Sequence, residues 1–377
     1  MIRARLVAIL TWLWPGSERF APARHICHSI REWCLEHGCP CAIFGAPSLF
    51  AAIVPQGRVY GKRGVAVLGP GNEMFAELSM LRSSRKIPPS PSEHRLFRQL
   101  LLPRVRTLSG TAAVLAVPGG ATYYHWLYDV MPRLELLRLA GTKLDSVDHF
   151  IVNDSREPFQ QMALKHFRID ARTISLNEFP HVRADRLVAP SMPGMTGEPD
   201  RWVLEFLRDS FLSLGNDASK ATPERFYVSR ADARHRRLVN EEQVVEHLSA
   251  LGFRPVWLER MSFAEQIALF RNAEAIIGVH GAGLANLVFC NPGTKVLEIF
   301  TPGPKPQMYA HISELLGLDY SALIPASAQS NAAQGKGRDV KVTLQELDEA
   351  LEMFWTSNTC ENAEVTSSFV RANAAAR

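Results

Sequence analysis

The chain has 377 residues, 46% of them hydrophobic and 21% charged, and a formal net charge of +4. That composition suits two ordinary globular domains, each with its own core, and excludes a disordered chain. So small a charge on so long a chain speaks against wrapping nucleic acid. No nucleic-acid partner is expected, although local basic clusters can still hold phosphate.

At the N-terminus, Arg3 and Arg5 precede an apolar run at residues 6–14 that is too short to span a bilayer. Ala21-Pro22-Ala23 resembles a signal-cleavage site, but Glu18 and Arg19 intervene. The pattern leaves open a signal peptide beside a terminal helix that packs or touches a membrane surface. No other segment could cross a membrane, so the expected location is cytoplasmic, with peripheral contact at the inner face of the membrane. Cys27, Cys34, Cys39 and Cys41 interleave with His25, His28 and His37; Cys290 and Cys360 lie far away. There is no pair of CxxC knuckles, and Cys39-Pro40-Cys41 is too tight for the usual zinc turn. Reduced, mostly buried thiols are expected rather than a metal site. Residues 1–40 read as an N-terminal extension.

From residue 114 onward the elements alternate. An apolar strand at 114–117 is closed by Pro118-Gly119-Gly120, followed by a helix at about 122–140, a strand at 149–152, a helix at 157–167 and a strand at 172–175. This order predicts a parallel sheet covered on both faces. It makes residues 41–200 a first α/β domain, ending in the polar Pro/Gly stretch 190–200. A helix over 201–214 opens a second domain, 201–342. There, strands at 226–228, 254–258, 275–279 and 295–300 alternate with helices capped by Asn240 and by Ser262, the latter in a capping box with Glu265. That alternation describes a doubly wound, nucleotide-binding, Rossmann-like domain. A helix at 343–356 and a polar, Ala-rich tail at 357–377, expected to be disordered, complete the chain.

Four groups of residues could carry chemistry. His280-Gly281-Ala282-Gly283 follows a five-residue apolar strand and precedes a helix, the place where glycines let a phosphate approach free backbone N–H groups. The bland alternative is a tight turn with no ligand. Glu298 interrupts the next apolar strand; ribose hydroxyls or a nearby arginine could satisfy it. Ser229-Arg230 and then Arg234, Arg236 and Arg237 follow the first strand of this half, well placed to neutralise a diphosphate. In the first half, His125, Asp129 and Arg133 share one helix face, although Pro132 disturbs it. A histidine beside a carboxylate can act as a general base, and a structural His–Asp–Arg network is the alternative. No two aspartates are separated by a single residue, so the D-x-D metal site of many sugar transferases is missing.

Taken together, Tyr227-Val228-Ser229-Arg230, Arg236, Asn240-Glu241, Ser262-Phe263-Ala264-Glu265-Gln266, the run from Ile277 through His280-Gly281-Ala282-Gly283-Leu284-Ala285-Asn286, Pro292-Gly293 and Glu298 resemble glycosyltransferase family 61. His125-Trp126, Asp129, Pro132 and Arg133 are similar to its N-terminal motif, and the likeness runs from about residue 118 to residue 300. The resemblance implies a GT-B-like fold of two facing Rossmann-like domains with parallel sheets, inversion at the anomeric carbon, and no metal or other cofactor. It also implies a nucleotide-sugar donor and a glycan acceptor. Bacterial relatives are associated with capsular and other surface polysaccharides, eukaryotic ones with protein O-glycans and plant xylans. Lacking a long luminal stem, the chain reads as a bacterial polysaccharide enzyme.

The expected reaction is direct displacement in the cleft between the halves. Ser229, Arg230, Arg236, His280, Gly281, Ala282, Gly283 and Asn286 would bind the donor, Glu298 would lie near the ribose, and His125 or Asp129 would act as base. A sugar-nucleotide epimerase and a non-catalytic nucleotide-sugar-binding subunit are the rival readings. Oligomeric state is not readable from these motifs.

Overall fold

The computed structural model describes residues 26–44, 48–61, 64–81, 90–99, 101–217, 222–329 and 339–356. The apolar run at 6–14, the signal-like site and the tail 357–377 lie outside the described residues. Two compact units divide the chain, Met1–Thr196 and Gly197–Arg377.

The first unit is built on an 11-stranded mixed sheet. Its parallel part runs Thr173–Ser175, His149–Val152, Arg106–Val114, His181–Pro190. The long strand His181–Pro190 is the hinge of the topology. It pairs in parallel with Arg106–Val114 and antiparallel with Phe50–Pro55 and Arg58–Gly61, from which further antiparallel strands continue. The expectation of a purely parallel sheet is therefore corrected for this unit. Phe50–Pro55, Arg58–Gly61 and Gly64–Leu68 are almost continuously buried, so they lack the period-two alternation that marks a half-exposed strand. Ile30, Trp33 and Cys34 of the helix Ile30–Glu36 sit in this unit's core, with Cys27, Cys39 and Cys41 packed against it as free thiols.

The second unit holds five parallel strands in the order Arg254–Val256, Arg225–Val228, Ala275–Val279, Lys295–Ile299, Asp319–Leu323. The chain lays down Arg225–Val228 first, goes outward to Arg254–Val256, then returns to the other side with Ala275–Val279. The winding direction reverses between Arg225–Val228 and Ala275–Val279, and at such a switch point the loops leaving the strands diverge and open a crevice. One sheet face, with Tyr227, Ile277, Leu297 and Ile299, packs on Val244 and Leu248 of the helix Glu241–Ala250 and on Leu347, Leu351 and Phe354 of the helix Leu344–Thr356. On the other face Phe226 meets Phe270 of the helix Phe263–Arg271, whose Ser262–Glu265 capping box is formed. Asn240 does not cap the helix after it. Its side-chain amide exchanges two hydrogen bonds with the backbone of Val342, tying down the segment before the last helix. Among the described residues no helix is long and apolar enough to cross a membrane.

Candidate functional site

The switch point of the second unit lies between Ser229-Arg230, after one strand, and His280-Gly281, after its neighbour. The two loops meet there. A Cβ placed on Gly281 would fall on Nη1 of Arg230, so glycine is required here for space. Conformation does not demand it, because the backbone at Gly281 is extended, with φ −175°. Arg230 is fixed from behind: Nε and Nη2 donate to the carbonyls of Arg236 and His235, both at 2.9 Å, and its backbone N–H donates to Glu241 Oε1 at 2.9 Å. None of its side-chain hydrogen bonds among the described residues goes to a carboxylate. Burial and the neighbouring Arg236 lower its basicity from the usual arginine range. Arg236 itself has a left-handed backbone, φ 60°, a conformation that costs a non-glycine residue about 1–2 kcal/mol and is tolerated where function holds it. Its carbonyl accepts from Arg230. Arg237 does not join them. It pairs with Asp339 at 3.0 Å, while Arg234 is exposed.

Glu241, at the first turn of its helix, organises the base of this loop by accepting from Tyr227 Oη at 2.8 Å and Ser229 Oγ at 3.2 Å as well as from Arg230. Ser229 is thereby committed to holding the turn. Asn286 is buried and donates to Gln266 and to the carbonyl of Gly283, which locks the segment Ala282–Phe289 against the preceding helix. Gly283 is close-packed on Leu258. Of the expected donor residues, Arg230, His280, Gly281 and Ala282 therefore line the switch point, while Ser229, Gly283 and Asn286 build its support.

Among the described residues Glu298 pairs with no arginine. It is fully buried, bonded to His280 Nδ1 through Oε1, and accepts from Tyr320 Oη through Oε2 at 2.5 Å. Tyr309 adds a third aromatic support, donating its hydroxyl to the carbonyl of Gly281 at 2.7 Å. Sequence reasoning missed Tyr309 and Tyr320. They stand on the helix Met308–Leu316 and the strand Asp319–Leu323, two elements whose short mixed patterns carry little periodicity. The one available signal was the lone carboxylate of Glu298 in an apolar strand, which required buried donors somewhere.

In the first unit, the helical stretch changes its winding before Pro132, where a new helix is one of the expected outcomes. Tyr123–His125 opens it, a π turn spans Trp126–Val130, and Pro132 starts the helix Arg133–Leu139. Such turns insert an extra residue into the ladder and favour functional sites. His125 Nδ1 reaches Asp129 Oδ2 at 2.6 Å, and Thr196 Oγ1 donates to the same oxygen at 3.2 Å. Asp129 is nearly sealed, while the His125 side chain keeps 20% exposure. The carboxylate can only accept, so Nδ1 carries the proton and Nε2 offers its lone pair. Gly119 makes room: it adopts φ 86°, and a Cβ there would stand 2.7 Å from the His125 ring. Arg133 leaves this group. The π turn rotates it inward, where Nη1 donates to the Ala116 carbonyl at 2.8 Å and Nη2 to that of Pro190. Burial pushes its guanidinium down to about 9.

Comparison with known proteins follows these landmarks. Residues 123–297 match the family model Glycosyltransferase 61. The EGF domain-specific O-linked N-acetylglucosamine transferase of Drosophila melanogaster is 32% identical over 97 residues, 25% of this chain and 18% of that protein. Beta-1,2-xylosyltransferase RCN11 of Oryza sativa subsp. japonica is 41% identical over 68 residues, 18% of this chain and 13% of the relative. Beta-1,2-xylosyltransferase of Arabidopsis thaliana is 31% identical over 107 residues, 25% and 20% respectively. The chain thus spans a fifth or less of the length of these curated relatives.

Proposed function

From the match of residues 123–297 to the family model Glycosyltransferase 61, we propose that the chain belongs to that family and moves a hexosyl or pentosyl group from a nucleotide-sugar donor to a hydroxyl of a glycan acceptor. The reading takes the two units as the halves of a GT-B enzyme and the reaction as a single inverting displacement. Its setting is surface or capsular polysaccharide synthesis on the cytoplasmic side of a membrane. The observation that carries it is the corner where Arg230 meets Gly281. A guanidinium whose side chain bonds only backbone carbonyls, beside a glycine without room for a side chain, fits a diphosphate. Cations in that place can stabilise a departing diphosphate without a metal ion, in keeping with the missing D-x-D spacing. His125, oriented by Asp129, takes the acceptor proton.

A thermal-shift screen of the full chain against nucleotide sugars in EDTA, followed by a transfer assay with the donor that stabilises most, tests this reading. Arg236→Ala should lower turnover by tenfold or more, on the order of one lost phosphate contact, and leave the unfolding temperature within a few degrees. Unchanged turnover in that variant would remove the arginines from the mechanism.

A further inference from the structure

The His280–Glu298–Tyr320 group invites a closer reading, which rests on the donor site proposed above. The sheet face that bears Glu298 is otherwise apolar in its neighbourhood. Val228 and Gly278 precede it in the same cross-strand row, Ala322 follows, and Phe226, Ile276 and Val296 fill the adjacent row. Tyr320 is the diagonal neighbour on the next strand. A fully buried carboxylate costs several kcal/mol unless every lone pair is used, and an apolar residue of similar size is generally no less stable. Packing alone gives no reason to keep a glutamate there.

The hydrogen bonds define the state of the group. Burial and the adjacent Glu298 push the Tyr320 hydroxyl well above the usual tyrosine range, so it keeps its proton and donates. Glu298 then accepts on both oxygens, and His280 must present Nδ1–H to it. The imidazole is clamped on its faces, stacked on Phe300 with ring centres 5.6 Å apart and tilted against Tyr309 at 5.4 Å. Among the described residues the side-chain hydrogen bonding of His280 runs through Nδ1, and the side chain keeps 10% exposure. His280 directly precedes Gly281, against which Arg230 lies.

We infer that His280 is a second catalytic histidine, which takes a proton from solvent at Nε2 as the donor binds and donates that Nε2–H to the donor diphosphate, and that Glu298 and Tyr320 are positioning residues that fix its ring and its Nδ1–H. As the bond between sugar and phosphate breaks, negative charge grows on the leaving oxygens and this hydrogen bond strengthens, so it acts on the transition state more than on the bound donor. The first unit repeats the arrangement with His125, Asp129 and Thr196, again with Nδ1 on a carboxylate that also accepts from a hydroxyl.

The probe is inorganic pyrophosphate in EDTA, titrated into the full chain and into Glu298→Gln, Tyr320→Phe and His280→Ala. In parallel, the imidazole nitrogens of the ¹⁵N-histidine-labelled chain are observed by NMR, with His280→Ala supplying the assignment. The expected result is that pyrophosphate moves the Nε2 resonance of His280 to the protonated, hydrogen-bonded range while Nδ1 stays protonated. Affinity should fall about tenfold or more in His280→Ala and Glu298→Gln, and by a smaller factor in Tyr320→Phe. If Glu298→Gln fails to fold, the wild-type resonances and Tyr320→Phe still decide. Pyrophosphate binding that leaves the His280 nitrogens unmoved and is equal in all variants overturns this inference and leaves the donor site standing. No binding to the wild type overturns the donor site itself.

Discussion

One added methyl group at Gly281 distinguishes what the fold needs from what the ligand needs. The extended backbone there is open to any residue, so Gly281→Ala carries no conformational penalty. Its Cβ lands on Nη1 of Arg230. To restore a contact of about 3.5 Å from the 2.0 Å at which the Cβ would meet Nη1, the guanidinium must retreat by about 1.5 Å. The bonds to the carbonyls of His235 and Arg236, both 2.9 Å, then stretch beyond useful length. The tip of a long side chain can move and recover water, so the expected loss of stability is only about 1 kcal/mol. Anion binding suffers more: a weakened guanidinium–phosphate contact of about 1.5–3 kcal/mol raises the pyrophosphate Kd by about 10- to 100-fold. Gly283→Ala is the control, because its Cβ meets the outer methyl of Leu258, at 2.8 Å, and a methyl of Val228, at 3.5 Å, and no part of Arg230. Isothermal titration in EDTA, paired with thermal unfolding of each variant, reads both quantities. Equal pyrophosphate affinity in wild type and Gly281→Ala would refute the reasoning.

Three further outcomes are expected. His181 is sealed, with Nδ1–H on the Pro103 carbonyl at 3.1 Å and Nε2 without a hydrogen-bond partner among the described residues, and burial pushes its imidazole down from 6.5 to about 4. The unfolded chain binds that proton more readily, so stability holds above pH 6.5 and falls towards pH 4, by up to about 3 kcal/mol. Urea unfolding across that window should show a shallower fall in His181→Gln, and an identical fall would count against it. Arg133→Met leaves the carbonyls of Ala116 and Pro190 without their donors and should cost about 2–4 kcal/mol in urea unfolding; a loss below about 1 kcal/mol would deny the bridging role. Replacing His125 with Ala and Asp129 with Asn together should abolish transfer while the pyrophosphate Kd stays at the wild-type value. Wild-type transfer rates in that double variant would exclude both residues as the base.

Much of the second unit was legible because its strands announce themselves. The strand Ala275–Val279 is wholly apolar, the Ser262 capping box fixes where the next helix starts, and the glycine turn sits between a strand and a helical segment. The first unit was less so. Its early strands are buried on both faces, so they look alike in pattern, and the ten-residue strand His181–Pro190 carries Arg183, Asp185 and Arg186 amid its apolar residues. The pairing of His125 with Asp129 followed from helical spacing, whereas the inward turn of Arg133 depended on a π turn that spacing cannot reveal. Glu298 shows the same limit from the other side. Its position in an apolar strand demanded partners, but Tyr320 and the ring of His280 come from other strands, and only the register of the sheet brings them together.

Amide hydrogen exchange of the full chain, with and without the nucleotide sugar that stabilises it most, tests the placement of the donor most directly. Bound donor should protect the segments around Ser229–Arg230 and His280–Ala282 above all others in the second unit. Saturating donor that leaves both segments exchanging at their free rates, while protecting a different part of that unit, would contradict a diphosphate seated between Arg230 and Gly281.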